Sequence, residues 1–290
     1  MTRTRPGTYH FSVKEYKFGH TTKYCELPAR APPMTKIIAV TNQKGGVGKT
    51  TTAINLAASL VLADRRVLLV DADPQANLTS GVGARREVAG GRTIYEVLTS
   101  PDEVSDPDAF MVPTQLPGLM VVPADHNLTG AEIELVPLPE RESRLRRFLL
   151  RLRGRFDYII IDCPPSLGLL TLNALVAADR VVIPLHCEYF ALEGLAELVS
   201  TLRRVRANLN PTLDIEGVLL TMYDERTNLG QQVTKEVREF FKEKVFDTVI
   251  PRNVRLGEAP SHGLPAVLYD GKSRGAAAYV ELAREFLARA

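Results

Sequence analysis

One stretch of the sequence combines glycines, lysines and threonines at a spacing suited to phosphate chemistry. Residues 42–51 read Asn-Gln-Lys-Gly-Gly-Val-Gly-Lys-Thr-Thr. Glycines allow backbone conformations that turn successive N–H groups toward an anion. Lys49 supplies a compact positive charge for the outer phosphates of a nucleotide, and the Thr50 hydroxyl is placed to bind Mg²⁺. The stretch therefore predicts a phosphate-binding loop.

The residues on either side supply the strand and the helix that such a loop requires. An apolar run at 37–40 precedes the loop, and a helix-forming run at 53–58 follows it. The start of that helix adds unpaired N–H groups and the positive end of the helix dipole. The loop residues expected to contact the nucleotide are Lys44, Gly45, Gly46, Val47, Gly48, Lys49, Thr50 and Thr51.

A second lysine distinguishes this loop from the common pattern. The usual spacing places a glycine at position 43, where this chain has Gln43, and Lys44 stands ahead of the glycine pair. A second cation beside the phosphates helps only if it neutralises additional charge. The arrangement resembles the deviant phosphate loop of the ParA/MinD ATPases. That resemblance implies that Lys44 reaches the nucleotide bound by a partner subunit.

Two acidic motifs end apolar runs elsewhere in the chain. They are Asp-Ala-Asp-Pro-Gln at 71–75 and Asp-Cys-Pro-Pro-Ser at 162–166. A carboxylate that ends a buried strand is costly unless it holds a cation or a water molecule. Asp162 resembles the Walker B aspartate, which holds Mg²⁺ largely through water, and Asp73 is placed to orient an attacking water. An isolated aspartate at a strand end often only caps a turn, but two beside a phosphate loop favour a functional role.

Further motifs extend the resemblance over most of residues 36–288. Segments 188–194, 251–255 and 258–263 are similar to those of chromosomal ParA proteins of the Soj type. One departure is His186, where such proteins usually carry glutamine; it either tunes the nucleotide-facing loop or has no role. The resemblance implies that Pro251 and Asn253 contact the adenine base. Without the resemblance, a proline followed by small polar residues is typical of a turn.

The resemblance also implies an activity. The chain is expected to be a Mg²⁺-dependent ATPase that dimerises around two ATP molecules and then binds DNA without sequence preference. Water attacks the γ-phosphate directly in such enzymes, and catalysis comes from positioning and charge neutralisation, here by Lys44, Lys49 and Asp73. A ParB-type centromere-binding protein is the implied partner that stimulates hydrolysis during chromosome or plasmid segregation. Turnover is expected to be slow, because the ATP-bound state is the signal.

Local basic groups must carry any DNA binding, because most of the chain has no excess of positive charge. Residues 1–33 hold six Lys/Arg and two Glu, which leaves 30 basic and 32 acidic residues in the remainder. Arginines at 144–153 are expected to form a solvated helix face. Arg226 precedes a helix, opposes its dipole and needs a compensating partner such as a phosphate. The residues expected to bind DNA, by resemblance, are Arg226, Arg252, Arg255, Lys272 and Arg274.

Composition predicts an ordinary globular protein that resides in the cytoplasm, and the resemblance to the ParA proteins implies that it associates with the nucleoid when ATP is bound. The chain has 290 residues, of which 45% are hydrophobic and 24% charged. No apolar run approaches the roughly 20 residues of a membrane span, so no membrane association is expected. The three cysteines form no CxxC motif. Residues 1–33 are interpreted as a disordered basic extension before an ATPase domain at 34–290, or else Met34 is the true start.

The elements that must position these residues alternate between apolar runs and helical patterns. Continuous apolar runs are typical of strands that are covered on both faces, as in a parallel sheet. We therefore predict an α/β fold: a doubly wound, mostly parallel sheet of the P-loop NTPase type with helices on both faces. The predicted strands are 37–41, 67–71, 119–123, 158–162, 181–185 and 218–223. The predicted helices are 51–63, 141–153, 168–177, 192–208, 229–242 and 276–288.

Two alternative functions fit the same scaffold. A MinD-like cell-division regulator would need a C-terminal amphipathic helix beyond the fold to bind a membrane, whereas the apolar stripe at 279–287 is typical of a core-facing helix. A liposome sedimentation assay would separate that class. The other alternative is a small-molecule enzyme, such as a nitrogenase-type reductase or a biotin-pathway synthetase. The reductase needs cysteines that bridge a cluster, and Cys163 and Cys187 lack that motif context.

Overall fold

The computed structural model describes residues 34–84, 90–101, 104–188, 191–224, 226 and 228–289. The extension predicted at 1–33 lies outside the described residues, as do Tyr189 and Phe190 of the motif at 188–194. Within the described part of the chain, none of the helices is both long and apolar enough to cross a membrane.

A single sheet forms the centre of the described chain. Its strands are β1 (Lys36–Val40), β2 (Val67–Asp71), β3 (Val112–Pro113), β4 (Leu119–Val122), β5 (Tyr158–Asp162), β6 (Arg180–His186) and β7 (Asp214–Thr221). They lie in the order β3-β4-β2-β5-β1-β6-β7. Every neighbouring pair is parallel except β3 with β4, which is antiparallel. The predicted mostly parallel, doubly wound sheet is confirmed.

Helices cover both faces of this sheet. They are α1 (Lys49–Leu62), α2 (Asn77–Gly81), α3 (Ile94–Thr99), α4 (Leu128–Glu134), α5 (Arg144–Leu150), α6 (Leu169–Ala177), α7 (Ala191–Asn208), α8 (Asn228–Phe241), α9 (Val254–Glu258), α10 (Ala266–Tyr269) and α11 (Arg274–Arg289). The apolar sides of α1 and α11 share one core with one face of the sheet. Those of α3 to α8 share a second core with the other face.

The predicted elements are present with small shifts at their ends, and several short ones were not predicted. The sixth predicted strand, 218–223, begins four residues earlier as β7. The helix predicted at 141–153 is only the seven-residue α5. The short α3 has a sequence signal that was overlooked, because Thr93 and Glu96 form a capping box at its start.

Arg144 corrects the expectation of a fully solvated arginine face. Its side chain is only 6% exposed. The guanidinium donates hydrogen bonds to the carbonyl oxygens of Leu98 at 2.8 Å, Thr99 at 3.1 Å and Pro139 at 3.2 Å. Since Leu98 and Thr99 end α3, Arg144 satisfies carbonyls that the helix leaves unpaired.

The arginines beyond α5 are also engaged with the protein. Arg151 donates to the carbonyl oxygens of Val104 and Ser105. Arg153 pairs with Asp179 at 2.7 Å. Arg146, Arg147, Arg151 and Arg153 remain exposed, but the last two are held by other parts of the chain, because helical spacing alone does not reveal which arginines reach neighbouring carbonyls or carboxylates.

Arg144→Ala is expected to lower the free energy of unfolding by about 3 kcal/mol, because it removes a charged donor from three carbonyl groups at a buried site. Urea denaturation of the purified protein measures this change. Arg146→Ala on the same helix is the matched control and is expected to change the free energy by less than about 0.5 kcal/mol. Equal effects of the two substitutions would contradict the capping role of Arg144.

The strand register brings the candidate functional residues to one edge of the sheet. Val40, which ends β1, lies beside Asp162 at the end of β5. Asp162 in turn lies beside Asp71 at the end of β2. The phosphate loop and both acidic motifs therefore leave the carboxyl edge together, which is where doubly wound sheets bind ligands.

Candidate active site

The loop between β1 and α1 has the backbone geometry of an anion site. Gly46 and Gly48 adopt left-handed conformations, with φ of 74° and 87°. A side chain would be strained at either position. Gly48 precedes α1 without a side-chain hydrogen bond to the first turn of the helix, so those N–H groups are available to an anion.

Other side chains brace this loop from the flanking strands. The Asn42 amide donates to the carbonyl oxygen of Pro184 in β6 at 2.8 Å, and its own oxygen accepts from the Lys44 N–H at 3.0 Å. The Thr221 hydroxyl, at the end of β7, donates to the carbonyl oxygen of Val47 at 2.8 Å. The loop is thereby held from β6 and β7 as well as from its own strand.

Lys49 lies buried beneath the loop with its amino group pointed back toward it. Its Nζ donates to the Lys44 carbonyl oxygen at 3.0 Å. Burial lowers the pKa of Lys49, and the nearby Asp162, Cys163 and Asp73 oppose that shift. A polyphosphate in the loop would act in the same direction as those groups and favour the charged ammonium.

Asp162 is a fully buried carboxylate, and no well-formed hydrogen bond to either oxygen is present among the described residues, although the Thr50 hydroxyl lies nearby. Burial raises its pKa well above the usual range and Asp71 adds to the shift, whereas Thr50 and Lys49 act in the opposite direction. Orphaned carboxylate oxygens beside a threonine hydroxyl and a phosphate loop match the oxygen ligands that hydrated Mg²⁺ prefers. Thr50 and Asp162 therefore fit the metal.

Asp73 lies just past the end of β2, nearly buried beside Lys49. Its Oδ1 accepts from the Gln75 N–H at 2.9 Å, and its carbonyl oxygen accepts from the Ala76 N–H at 2.9 Å. These contacts show that Asp73 caps a turn, which is the alternative to a functional role that the sequence analysis considered for an aspartate at a strand end. They also hold the carboxylate in a defined place near the phosphate loop, so the two interpretations are compatible.

Lys44 has an acidic partner that the sequence did not identify. Its Nζ pairs with Glu188, which follows β6, and the Glu188 Oε1 lies 2.9 Å from His186 Nδ1. The hydrogen bond from Lys44 lowers the pKa of Glu188. Burial lowers the pKa of His186, whereas the neighbouring Glu188 carboxylate acts in the opposite direction. His186 thus contacts the Glu188 carboxylate that pairs with Lys44, while an effect on nucleotide binding stays a prediction.

Asp71 is a second residue to which sequence reasoning gave no role. It is fully buried and accepts hydrogen bonds from the Thr79 N–H at 2.8 Å, the Thr79 hydroxyl at 2.6 Å and the Asp73 N–H at 3.2 Å. Burial raises its pKa to about 6, against the effect of these donors. Its position on the strand next to Asp162 could have been inferred from a predicted register, but its partner Thr79 could not.

The candidate base-contacting residues lie in the segment that precedes α9. Pro251 forms a bridge with Tyr223, just beyond β7. The Asn253 side chain accepts from the Arg255 N–H at 3.0 Å and so caps α9. The structure gives Asn253 a structural role at the helix start, while a contact with the base stays a prediction.

The candidate DNA-binding residues differ in how they are paired. Arg226 donates to both carboxylate oxygens of Asp224, at 2.9 Å and 2.7 Å, so the partner expected to be a phosphate is an aspartate in this structure. Arg255 pairs with Glu258 at 2.7 Å and with Asp270 at 3.3 Å. All five predicted residues are exposed: Arg226, Arg252, Arg255, Lys272 and Arg274.

Comparison with known proteins gives the chain close relatives. The family model described as an AAA domain matches residues 35–215. The sporulation initiation inhibitor protein Soj of Bacillus subtilis is 58% identical over 255 residues, which cover 88% of this chain and 99% of that protein. The chromosome partitioning protein ParA of Myxococcus xanthus is 57% identical over 254 residues, which cover 88% of each chain.

A solved structure agrees in fold with the computed one. Cobyrinic acid a,c-diamide synthase from Mycobacterium smegmatis, with bound ADP and magnesium, has a TM-score of 0.75 and 40% identity over 88% of this chain and 94% of its own. The two lysines of the phosphate loop, the aspartates at the strand ends and these sequence identities all indicate the same family. The chain belongs to the ParA/Soj-type family of P-loop ATPases with a deviant phosphate loop.

Proposed function

We propose that this protein is a Mg²⁺-dependent ATPase that partitions chromosomes or plasmids as an ATP-bound dimer on DNA. The observation that carries the proposal is the meeting of Lys44, Lys49 and the unpartnered carboxylate of Asp162 at one edge of the sheet. The high identity to Soj and ParA supports the role in partitioning. A ParB-type centromere-binding protein is the proposed activator of hydrolysis.

In the proposed reaction, the residues of the phosphate loop bind the triphosphate. Catalysis comes from the placement of the attacking water and from neutralisation of the phosphate charge. The N–H groups of residues 45–51 and the Lys49 ammonium hold the phosphates. Thr50 directly and Asp162 through water would hold Mg²⁺, which supplies charge neutralisation when bound. Asp73 aligns the attacking water from its place beside Lys49. The protein itself forms no covalent bond to the substrate.

Lys44 is proposed to act across the dimer. In this structure it is partly exposed and bonded to Glu188, while Lys49 points to the phosphate loop of its own subunit. A second chain carrying ATP would offer Lys44 a more highly charged partner than one carboxylate. ATP would then join two subunits that have little affinity without it.

The proposed DNA surface consists of Arg226, Arg252, Arg255, Lys272 and Arg274. Lys272 and Arg274 are exposed, and no ion pair with either is seen among the described residues. Two copies in a dimer double the number of cations that can contact phosphates. This doubling explains how a folded body with no positive excess would bind DNA only when ATP is present.

Lys272→Ala and Arg274→Ala are each expected to weaken ATP-dependent DNA binding for all sequences. Each substitution removes two cations from a dimer and is expected to reduce the slope of log K against log salt by about 2, because each neutralised phosphate contributes roughly 0.9. Retention of DNA by the protein with ATP, measured over a salt series, gives the slope. The ATPase rate without DNA is expected to stay unchanged.

Arg147→Ala is the matched control for this series. Arg147 is also an exposed arginine that pairs with Glu140 at 3.1 Å, but it lies on α5, which packs against the face of the sheet opposite to α11, the helix that begins at Arg274. Arg255→Ala is expected to have a smaller effect than Arg274→Ala, since Glu258 and Asp270 compete for that guanidinium. A reduced slope for Arg147→Ala alone would place DNA on the opposite face.

The whole proposal is tested by the ATPase rate with DNA and a candidate ParB protein added singly and together. The proposed function requires the largest stimulation when both are present, because the partner acts on the DNA-bound dimer. A rate that neither addition changes would reject the partitioning role while leaving the ATPase intact. Fluorescence microscopy of the tagged protein is expected to show nucleoid association that disappears when ATP binding is abolished.

A further inference from the structure

A hydrogen-bond network fixes both ends of residues 73–79, the segment that carries Asp73. Asp71 Oδ1 accepts from the Asp73 N–H at 3.2 Å, at the start of the segment. Asp71 Oδ2 accepts from the N–H of Thr79 at 2.8 Å and from its hydroxyl at 2.6 Å, at the end of the segment. One buried carboxylate therefore fixes both ends of residues 73–79.

Thr79 connects this closed segment to a third part of the chain. Its hydroxyl donates to Asp71 and accepts from the Ala124 N–H at 3.0 Å, and Ala124 lies just past β4. Thr79 and Asp71 are both buried, so water does not compete for these bonds. The hydroxyl is thus both a donor and an acceptor, and it joins the end of β2 to the segment after β4.

Between the fixed ends, the segment has little freedom to place the Asp73 carboxylate elsewhere. Asp73 accepts from the Gln75 N–H at 2.9 Å, and Ala76 adopts a left-handed conformation with φ of 52° before α2 begins. That conformation is strained for alanine and persists only where the surroundings enforce it. The bonds of Thr79 to Asp71 and Ala124 are part of that enforcement.

We propose that Thr79 is a positioning residue for ATP hydrolysis, which acts through Asp71 to hold Asp73 where it aligns the attacking water. The inference rests on the proposed role of Asp73. No hydrogen bond joins the Thr79 side chain to the phosphate loop among the described residues. The loss of Thr79 is therefore expected to impair the chemical step rather than the binding of ATP.

Thr79→Val keeps the shape of the side chain and removes the hydroxyl. The expected result is a decrease in kcat of about ten- to a hundredfold, because small displacements of a positioned group have effects of this size. KM for ATP is expected to stay within about threefold of the wild-type value, as is nucleotide binding. Thr79→Ser retains the hydroxyl and is expected to recover most of kcat.

Thr35→Val is the matched control for the loss of a buried threonine hydroxyl. Thr35 donates to the Phe156 carbonyl oxygen at 2.6 Å and accepts from the Gly154 N–H at 2.7 Å, at the opposite edge of the sheet. The melting temperature of the Thr35→Val variant is expected to fall about as much as that of Thr79→Val, while the kcat of Thr35→Val stays at the wild-type value. Should Thr79→Val not fold, Thr79→Cys, with a weaker donor, is expected to have a kcat below that of Thr79→Ser.

Two outcomes separate this inference from the proposed role of Asp73. If Asp73→Ala lacks turnover while Thr79→Val retains wild-type kcat, the inference about Thr79 is overturned and the role of Asp73 stands. If Asp73→Ala retains turnover, the role of Asp73 fails and the inference fails with it. A Thr79→Val variant that loses ATP binding in proportion to kcat also overturns the positioning role.

Discussion

Asp73→Ala is expected to abolish ATP turnover while leaving ATP binding intact. The carboxylate lies past the end of β2, nearly buried beside Lys49, where it can orient a water toward the γ-phosphate. A positioned carboxylate of this kind contributes about 10² to 10⁴ in rate. Alanine removes it without disturbing Thr50, Lys49 or the loop N–H groups. Steady-state ATPase assays and titration with a fluorescent ATP analogue measure the two properties separately.

The same variant is expected to accumulate as an ATP-bound dimer that stays on DNA, because only hydrolysis would release it. Asp73→Asn is the informative companion, since its side-chain oxygen can still accept from the Gln75 N–H. A turn-capping role alone would be preserved by asparagine, so wild-type turnover of Asp73→Asn together with loss in Asp73→Ala would indicate that Asp73 serves only the turn. Wild-type turnover of Asp73→Ala would remove it from the mechanism.

The sheet was predictable because its strands are buried on both faces. Continuous apolar runs such as 67–71 and 158–162 match β2 and β5 at both ends. The missed elements are short: α9 and α10 have five and four residues, too few to show a helical period. The two-residue β3 lacks any run of its own and exists because it pairs with β4.

The candidate site was predictable where its residues are close in sequence or end a strand. The phosphate loop is one continuous motif, and Asp162 ends an apolar run. Contacts between distant segments were not predictable. Glu188 lies 144 residues after its partner Lys44, and Ala124 lies 45 residues after Thr79. Nothing in the local pattern of either residue indicates that pairing, because the folded sheet edge creates it.

The pairing of Lys44 with Glu188 is the starting point for the proposed ATP-dependent assembly. The two side chains are 37% and 48% exposed. Ion pairs this accessible to water contribute about 1 kcal/mol or less. In the proposed dimer, a triphosphate in the second subunit would carry several charges in a site with little water, so it would compete well for Lys44. Glu188 therefore holds Lys44 weakly in the single chain, so we expect that it does not prevent the proposed transfer of Lys44 to the nucleotide of a partner.

Lys44→Ala is expected to bind ATP as a monomer through Lys49 and to fail to form the ATP-dependent dimer. A symmetric dimer loses two charge-assisted bonds of about 1.5–3 kcal/mol each, which corresponds to a roughly 10²- to 10⁴-fold increase in the dimer dissociation constant. Size-exclusion chromatography with a nonhydrolysable ATP analogue measures it. Glu188→Gln is the control, because it removes the partner and keeps the lysine, and its dimer is expected to be at least as stable as wild type. An undiminished dimer of Lys44→Ala would reject the action of Lys44 across the interface, whereas equal loss in both variants would assign the interface to the Lys44–Glu188 pair itself.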